Sequence, residues 1–187
     1  IDELISIVTL KKLEDNKFEG QNYKTVWGRI FGGQVLSQSL HAAYQTVPEN
    51  RIAHSMHAYF ILPGDLNEPV VYEVDNIRNG GSFTTRRVVA FQKGRAIFNM
   101  AASFQKDEEG FDHQIQMPNV LSPDLLLTDF EQAEKFKEEL AERYQIFLAA
   151  HPKVFDFKPV GTNIFLRKEN ALPINCLLYT SPSPRDT

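Results

Sequence analysis

Apolar side chains along this chain switch between two repeat lengths, and the switches mark out its elements. Leu4, Ile5, Val8 and Leu13 recur at helical spacing, which predicts a short amphipathic helix over Asp2 to Leu13. Phe18 to Tyr23 reads as a brief strand. Val35, Leu36, Leu40, Ala43 and Val47 predict a helix from Gln34 to Thr46 that ends before Pro48. Ser37, Ser39, Ala42 and Ala43 are small, so this helix can sit close against a sheet, even be wrapped by one. Strands follow with no further helix between them. Arg51 to Leu62 is apolar on both faces and reads as a central strand, ended by Pro63-Gly64-Asp65. Val70 to Arg78 is next, closed by Asn79-Gly80-Gly81. Ser82 to Gln92 and Ala96 to Gln105 form a long hairpin about Lys93-Gly94. The fold class is α+β, one helix against one antiparallel sheet.

After Lys106 the pattern changes. Asp107 to Gly110 is charged and turn-like, and Phe111 to Asp124, with two prolines, has no clear period. Thr128 and Glu131 have the spacing of a capping box. Phe130, Ala133, Leu140, Tyr144, Phe147 and Leu148 then predict a helix to about Ala150, stopped by Pro152. Val154 to Val160 is a short strand-like run that begins something new. The resulting division is a first domain over 1–106, a linker with a helix over 107–152, the start of a second domain over 153–173, and a tail over 174–187. The tail, with Ser181-Pro182-Ser183-Pro184, resembles sequencing-adaptor read-through and is expected to be non-native. The first residue is Ile1, and the natural protein is expected to continue beyond about Pro173.

Composition removes several classes of function. Hydrophobic residues make up 42% and charged residues 24%, as in ordinary soluble domains. The net charge of −4 offers no basic face for nucleic acid. One cysteine, Cys176, excludes an internal disulfide and a cysteine-based zinc site. No apolar run approaches the roughly 20 residues needed to cross a bilayer.

The run Trp27-Gly28-Arg29-Ile30-Phe31-Gly32-Gly33-Gln34 carries the most chemistry. A helix opening on glycines has no Ser, Thr or Asp to cap its first amides, which stay free to receive negative charge. The plainer alternative is a loop that needs positive φ to enter a helix. Arg86-Arg87 could receive an anionic tail, or could be one half-buried and one solvated arginine on a strand. His54 and His57, three apart on a strand, are expected on opposite faces and unable to share a metal. No P-loop, dinucleotide fingerprint, nucleophile elbow or His-Glu-x-x-His is present.

Several motifs fall in a telling order: Phe31-Gly32-Gly33-Gln34-Val35; His54-Ser55-Met56-His57-Ala58-Tyr59-Phe60 with Pro63-Gly64-Asp65; Arg78-Asn79-Gly80-Gly81-Ser82-Phe83 with Arg86-Arg87-Val88; Ala101 to Gln105; and Gly110 to Gln114 with Met117-Pro118. Together they resemble the N-terminal half of the type II acyl-CoA thioesterases, from about Leu4 to Pro123 and more weakly to Val160. The resemblance implies a hotdog fold, a curved antiparallel sheet wrapped around the Gln34–Thr46 helix, with a second hotdog beginning at 153–173. It implies an enzyme that hydrolyses fatty acyl-CoA to a fatty acid and coenzyme A, with no cofactor and no metal. The family's Asp, Thr or Ser, and Gln, which hold and activate a water, lie in the second hotdog domain and are not reached here, so this chain alone is expected to be inactive. Gly32, Gly33, Gln34, Arg86 and Arg87 are the candidate substrate-binding residues, and His57 is the candidate catalytic residue of this half. Expected partners are acyl-CoA, the second hotdog domain of the same full-length chain, and further copies in a homo-oligomer, with no nucleic acid and no membrane insertion. The expected compartment is the cytoplasm, or the peroxisome in a eukaryote. A hotdog enoyl-CoA hydratase would carry Asp-x-x-x-x-His, which none of His41, His54, His57, His113 and His151 completes. A non-catalytic acyl-CoA-binding module is the other alternative.

Overall fold

A computed structural model describes residues 2–23, 28–139, 142, 145 and 157–160. The chain forms two compact units, Ile1–His113 and Gln114–Thr187. The first contains α1 (Asp2–Val8), β1 (Lys11–Glu14), β2 (Lys17–Gly20), α2 (Gly32–Tyr44), β3 (Ile52–Phe60), β4 (Val70–Asn79), β5 (Phe83–Gln92) and β6 (Arg95–Gln105). All six strands belong to one antiparallel sheet in the order β1-β2-β4-β5-β6-β3. Helix α2 packs against β2, β4, β5 and β6. Its Ala42 and Ala43 are fully buried, and their small side chains bring the helix axis close to the sheet. The core beneath it is built from Phe18, Tyr72, Val88, Phe98, Met100 and Phe104. This is the α+β hotdog arrangement that the sequence led us to expect.

Some elements differ from their sequence pattern. Helix α1 stops at Val8, not Leu13: both the amide and the hydroxyl of Thr9 bond back to Ile5 O, at 2.9 and 2.7 Å. Lys11–Glu14 then turns through Asn16, whose φ of 61° is tolerated by asparagine, and pairs with β2 at the edge of the sheet. Strand β2 ends at Gly20, because residues 21–23 leave the sheet to be held by side chains of α2. The largest correction concerns β3. It is a terminal strand, paired only with β6 among the described residues, not a central one. The segment after it crosses over, and β4 takes the place between β2 and β5. The β5–β6 hairpin follows its sequence closely: Lys93 and Gly94 both have positive φ, 49° and 72°, as a two-residue type I′ turn requires.

In the second unit the capping box is present, and α3 spans Asp129–Lys135. The helix expected to reach Ala150 is broken at Phe136 (φ −116°, ψ 28°), where a single 3₁₀ turn, Lys137–Glu139, follows. Phe157–Val160, the described part of the strand-like run, is not in a strand. Trp27, Leu140, Tyr144, Phe147, Leu148, Cys176, most of 153–173 and all of the expected tail lie outside the described residues. Among the described residues no helix is long and apolar enough to cross a membrane.

Candidate functional site

Helix α2 begins as its glycines suggest. Phe31 occupies the N-cap in extended conformation, and no side chain caps the helix. The amide of Gln34 turns back to Phe31 O at 3.0 Å, so that donor is spent. The amides of Gly32 and Gly33 have no acceptor among the described residues. Positive φ lies at Gly28 (69°), not at the glycine pair. A side chain at either glycine would instead have to displace an exposed aromatic ring. A Cβ on Gly32 would stand 2.9 Å from the Phe60 ring, and one on Gly33 would stand 2.4 Å from the Phe31 ring. Phe60 in turn stacks on Phe98, with ring centroids 5.0 Å apart. Phe31 and Phe60 are 55% and 62% exposed, so two unprotonatable apolar rings flank two open donors. Such a setting suits an acyl carbonyl whose oxygen gains charge, with its chain against the rings.

Gln34 is placed at this site but serves the fold. Its buried side chain accepts from Tyr23 N (3.0 Å) and donates to Gln21 O and Asn22 Oδ1, both at 3.1 Å. One turn later Gln38, fully buried, donates to Ile7 O (2.6 Å) and Gln21 O (2.9 Å) and accepts from Tyr72 OH (2.6 Å). Burial raises the Tyr72 pKa, which keeps the phenol a neutral donor. Sequence reasoning passed over Gln38. Its signal was a polar residue on the apolar stripe of α2, four after Gln34, since a buried amide needs partners.

Arg86 and Arg87 separate. Arg86, only 1% exposed, donates to Thr46 Oγ1 and O (2.8 Å each), Asn79 Oδ1 (2.7 Å), and Arg78 O and Thr85 O (3.0 Å each). Its charge rests on oxygen dipoles just past the C-terminal end of α2, and desolvation lowers its pKa from the ordinary arginine value. It is closed to any ligand. Arg87 points to the other face and pairs with Asp75 at 2.7 Å in solvent. The two arginines therefore form no common anion site.

The histidines also correct the sequence picture. Ala53 and Ser55 oppose Phe104 and Ser103, so His54 is the extra residue of a β-bulge. Its Nε2 meets Ser103 Oγ at 2.8 Å. The bulge restores His54 to the face on which His57 lies, so their three-residue spacing does not put them on opposite faces. His57 opposes Ala101 and stacks edge-on against Tyr59 at 4.7 Å. Met100 and Ala102, the neighbours of Ala101, are buried in the core, so His57 faces away from α2. Within this unit it does not meet the Gly32 and Gly33 amides. No group of three or more His, Cys, Asp or Glu among the described residues could hold a metal ion. Asp65 is a turn former: its Oδ1 accepts from Asn67 N at 3.0 Å and its Oδ2 from Lys93 Nζ at 3.0 Å. Those bonds hold its pKa below the usual carboxylate value, the backbone amide first, which makes it a poor base.

Residues 22–105 match the family model described as acyl-CoA thioesterase N-terminal domain. Acyl-CoA thioesterase 2 of Haemophilus influenzae is 40% identical over 142 residues, covering 76% of this chain and 50% of the relative. Among solved structures, the acyl-CoA thioesterase II TesB2 of Mycobacterium marinum is 42% identical with a TM-score of 0.61, over 72% of this chain and 49% of that one. A hot dog protein of unknown function from Alicyclobacillus acidocaldarius, 23% identical, aligns with a TM-score of 0.58 over 67% of this chain and 48% of its own, and supports the fold alone. The chain spans about half the length of the curated relatives it matches.

Proposed function

We propose, since this chain belongs to the type II acyl-CoA thioesterase family, that the protein it is part of hydrolyses fatty acyl-CoA to a fatty acid and coenzyme A. The match of residues 22–105 to the N-terminal domain model carries this reading. Hydrolysis needs a water activated by a base and a donor for the carbonyl oxygen as it becomes an oxyanion. The Gly32 and Gly33 amides supply the donor. The family's Asp, Thr or Ser, and Gln, in a second hotdog domain, supply the water.

A second hotdog domain of the full-length chain is the expected partner of this one. Among the described residues β3 ends the sheet, and Ile52, Met56, Tyr59 and Phe60 along it, with Ile61 just after it, are exposed apolar side chains. An apolar strand edge with no neighbour among the described residues is a surface for another strand. Residues 153–173 open that second hotdog. His57 lies on the sheet face turned away from α2, which leaves it a contact to substrate or partner and not a base of this half. The assembly is a homo-oligomer, resident in the cytoplasm or, in a eukaryote, the peroxisome. Thiol release by the full-length protein from medium- and long-chain acyl-CoAs tests the reading. No release above background from any of them rejects it.

A further inference from the structure

The supports of the first turn of α2 converge on one side chain. Asn22 Oδ1 accepts from Gln34 Nε2 at 3.1 Å, and Gln34 is the third residue of α2. Asn22 Nδ2 shares its hydrogens among three carbonyls of one loop: Asp65 O (3.2 Å), Leu66 O (3.3 Å) and Glu68 O (2.5 Å). The same loop carries Gly64, whose carbonyl accepts from Ile30 N at 3.2 Å, directly before the N-cap Phe31. Gly64 also packs so tightly on Ile30 that a Cβ there would lie 2.6 Å from Ile30 Cδ1. Gln92 of β5 holds the loop from the sheet side, accepting from Asp65 N (2.8 Å) and donating to Asp65 O (2.9 Å) and Glu68 O (2.6 Å). The helix start is thus gripped twice, through Gln34 and through Ile30, and among the described residues Asn22 joins Gln34 to the loop that holds Ile30.

We propose that Asn22 is a positioning residue, which fixes the Gly32 and Gly33 amides by joining the Gln34 side chain to the 64–68 loop. This rests on the reading of those amides as carbonyl donors. The chemistry requires an amide at position 22. One end must accept from Gln34 and the other must donate to carbonyls. Aspartate can do the first but not the second, and sets a carboxylate against three carbonyl oxygens. A displacement of the donors by a fraction of an ångström weakens an interaction made only in the transition state, so the loss falls on kcat with KM little changed.

The test uses the full-length protein as wild type, Asn22→Ala, Asn22→Asp and Gln34→Glu. Amide hydrogen exchange is read at α2 and in the β5–β6 hairpin, and kcat and KM are measured with one acyl-CoA. The expected result is faster exchange confined to the first turn of α2 and a kcat about tenfold lower or more, with KM within about twofold. Asn22→Asp is expected to be no better than Asn22→Ala. Should Asn22→Ala fail to fold, Asn22→Asp decides the matter, since it keeps the acceptor for Gln34 and removes only the donor to the loop, while Gln34→Glu removes the bond to Asn22 together with that to Gln21 O. Unchanged exchange at α2, or unchanged kcat in a folded variant, overturns the proposal. A wild type that releases no thiol rejects the hydrolase reading instead, and the exchange data still decide the positioning role.

Discussion

The two ends of α2 are built on opposite plans. At its C-terminal end the chain supplies its own cation. Arg86 is buried against Thr46, whose hydroxyl also donates to Ala43 O at 2.8 Å, so the last carbonyls are answered from within the fold. At its N-terminal end no side chain caps the helix, the Gly32 and Gly33 amides have no acceptor among the described residues, and exposed aromatic rings stand beside them. One terminus of the dipole is answered within the fold, and the other is left open among the described residues. A third terminus, the start of α3, shows what closure looks like. There Thr128 Oγ1 accepts from Glu131 N at 3.1 Å, and the Glu131 carboxylate accepts from Thr128 N at 2.7 Å.

Removing Arg86 is expected to have the largest effect. Arg86→Met orphans several buried oxygens at once, each worth about 1–3 kcal/mol, so a loss on the order of 3–5 kcal/mol is expected in urea unfolding. A loss under about 1 kcal/mol would show that the C-terminal end of α2 does not depend on its cation.

Closing the open end is expected to exchange activity for stability. Phe31→Asp places a carboxylate at the N-cap, where it can accept from the free amides and answer the dipole, a gain of about 1 kcal/mol. The same carboxylate occupies the donors proposed for the thioester oxygen, and losing such a donor costs on the order of 10²–10³ in kcat. A variant that is both more stable and fully active would break the contrast between the two ends.

The capped start of α3 should respond to acid through Glu131. The Thr128 amide holds the Glu131 pKa below its ordinary 4.5. A depressed pKa adds stability that is complete above that ordinary value and is lost as pH falls through the lower folded one. Circular dichroism of the second unit should therefore fall below about pH 4.5 in the wild type. In Glu131→Gln, which has no carboxyl to titrate at this cap, that dependence should flatten. The smallest effect is expected from Arg87→Ala. Its ion pair with Asp75 is in solvent, so stability should change by less than about 1 kcal/mol, in contrast to Arg86.

Much of this was legible in residue order, and the misreadings have physical causes. The uncapped start of α2 follows from Gly32-Gly33, and the β5–β6 hairpin from Lys93-Gly94, because both depend on local backbone chemistry. The position of β3 was not legible. A strand apolar on both faces reads as central from its pattern alone, and only the pairing shows that β3 ends the sheet. Arg86 and Arg87 differ by one place, and strand alternation sends one to the core and the other to solvent. Only the register of β5 says which. The faces of His54 and His57 were misjudged because a bulge has no reliable sequence mark. Asn22 and Gln38 act through partners distant in sequence, such as Glu68 and Tyr72, which pattern alone does not join.

The most direct test of the open end is an amide NMR titration of the full-length protein with a non-hydrolysable thioether analogue of acyl-CoA. The Gly32 and Gly33 resonances should move on binding, while the Thr46 amide at the closed end of α2 stays in place. Saturable binding that leaves Gly32 and Gly33 unmoved would contradict the assignment of this helix terminus to the substrate.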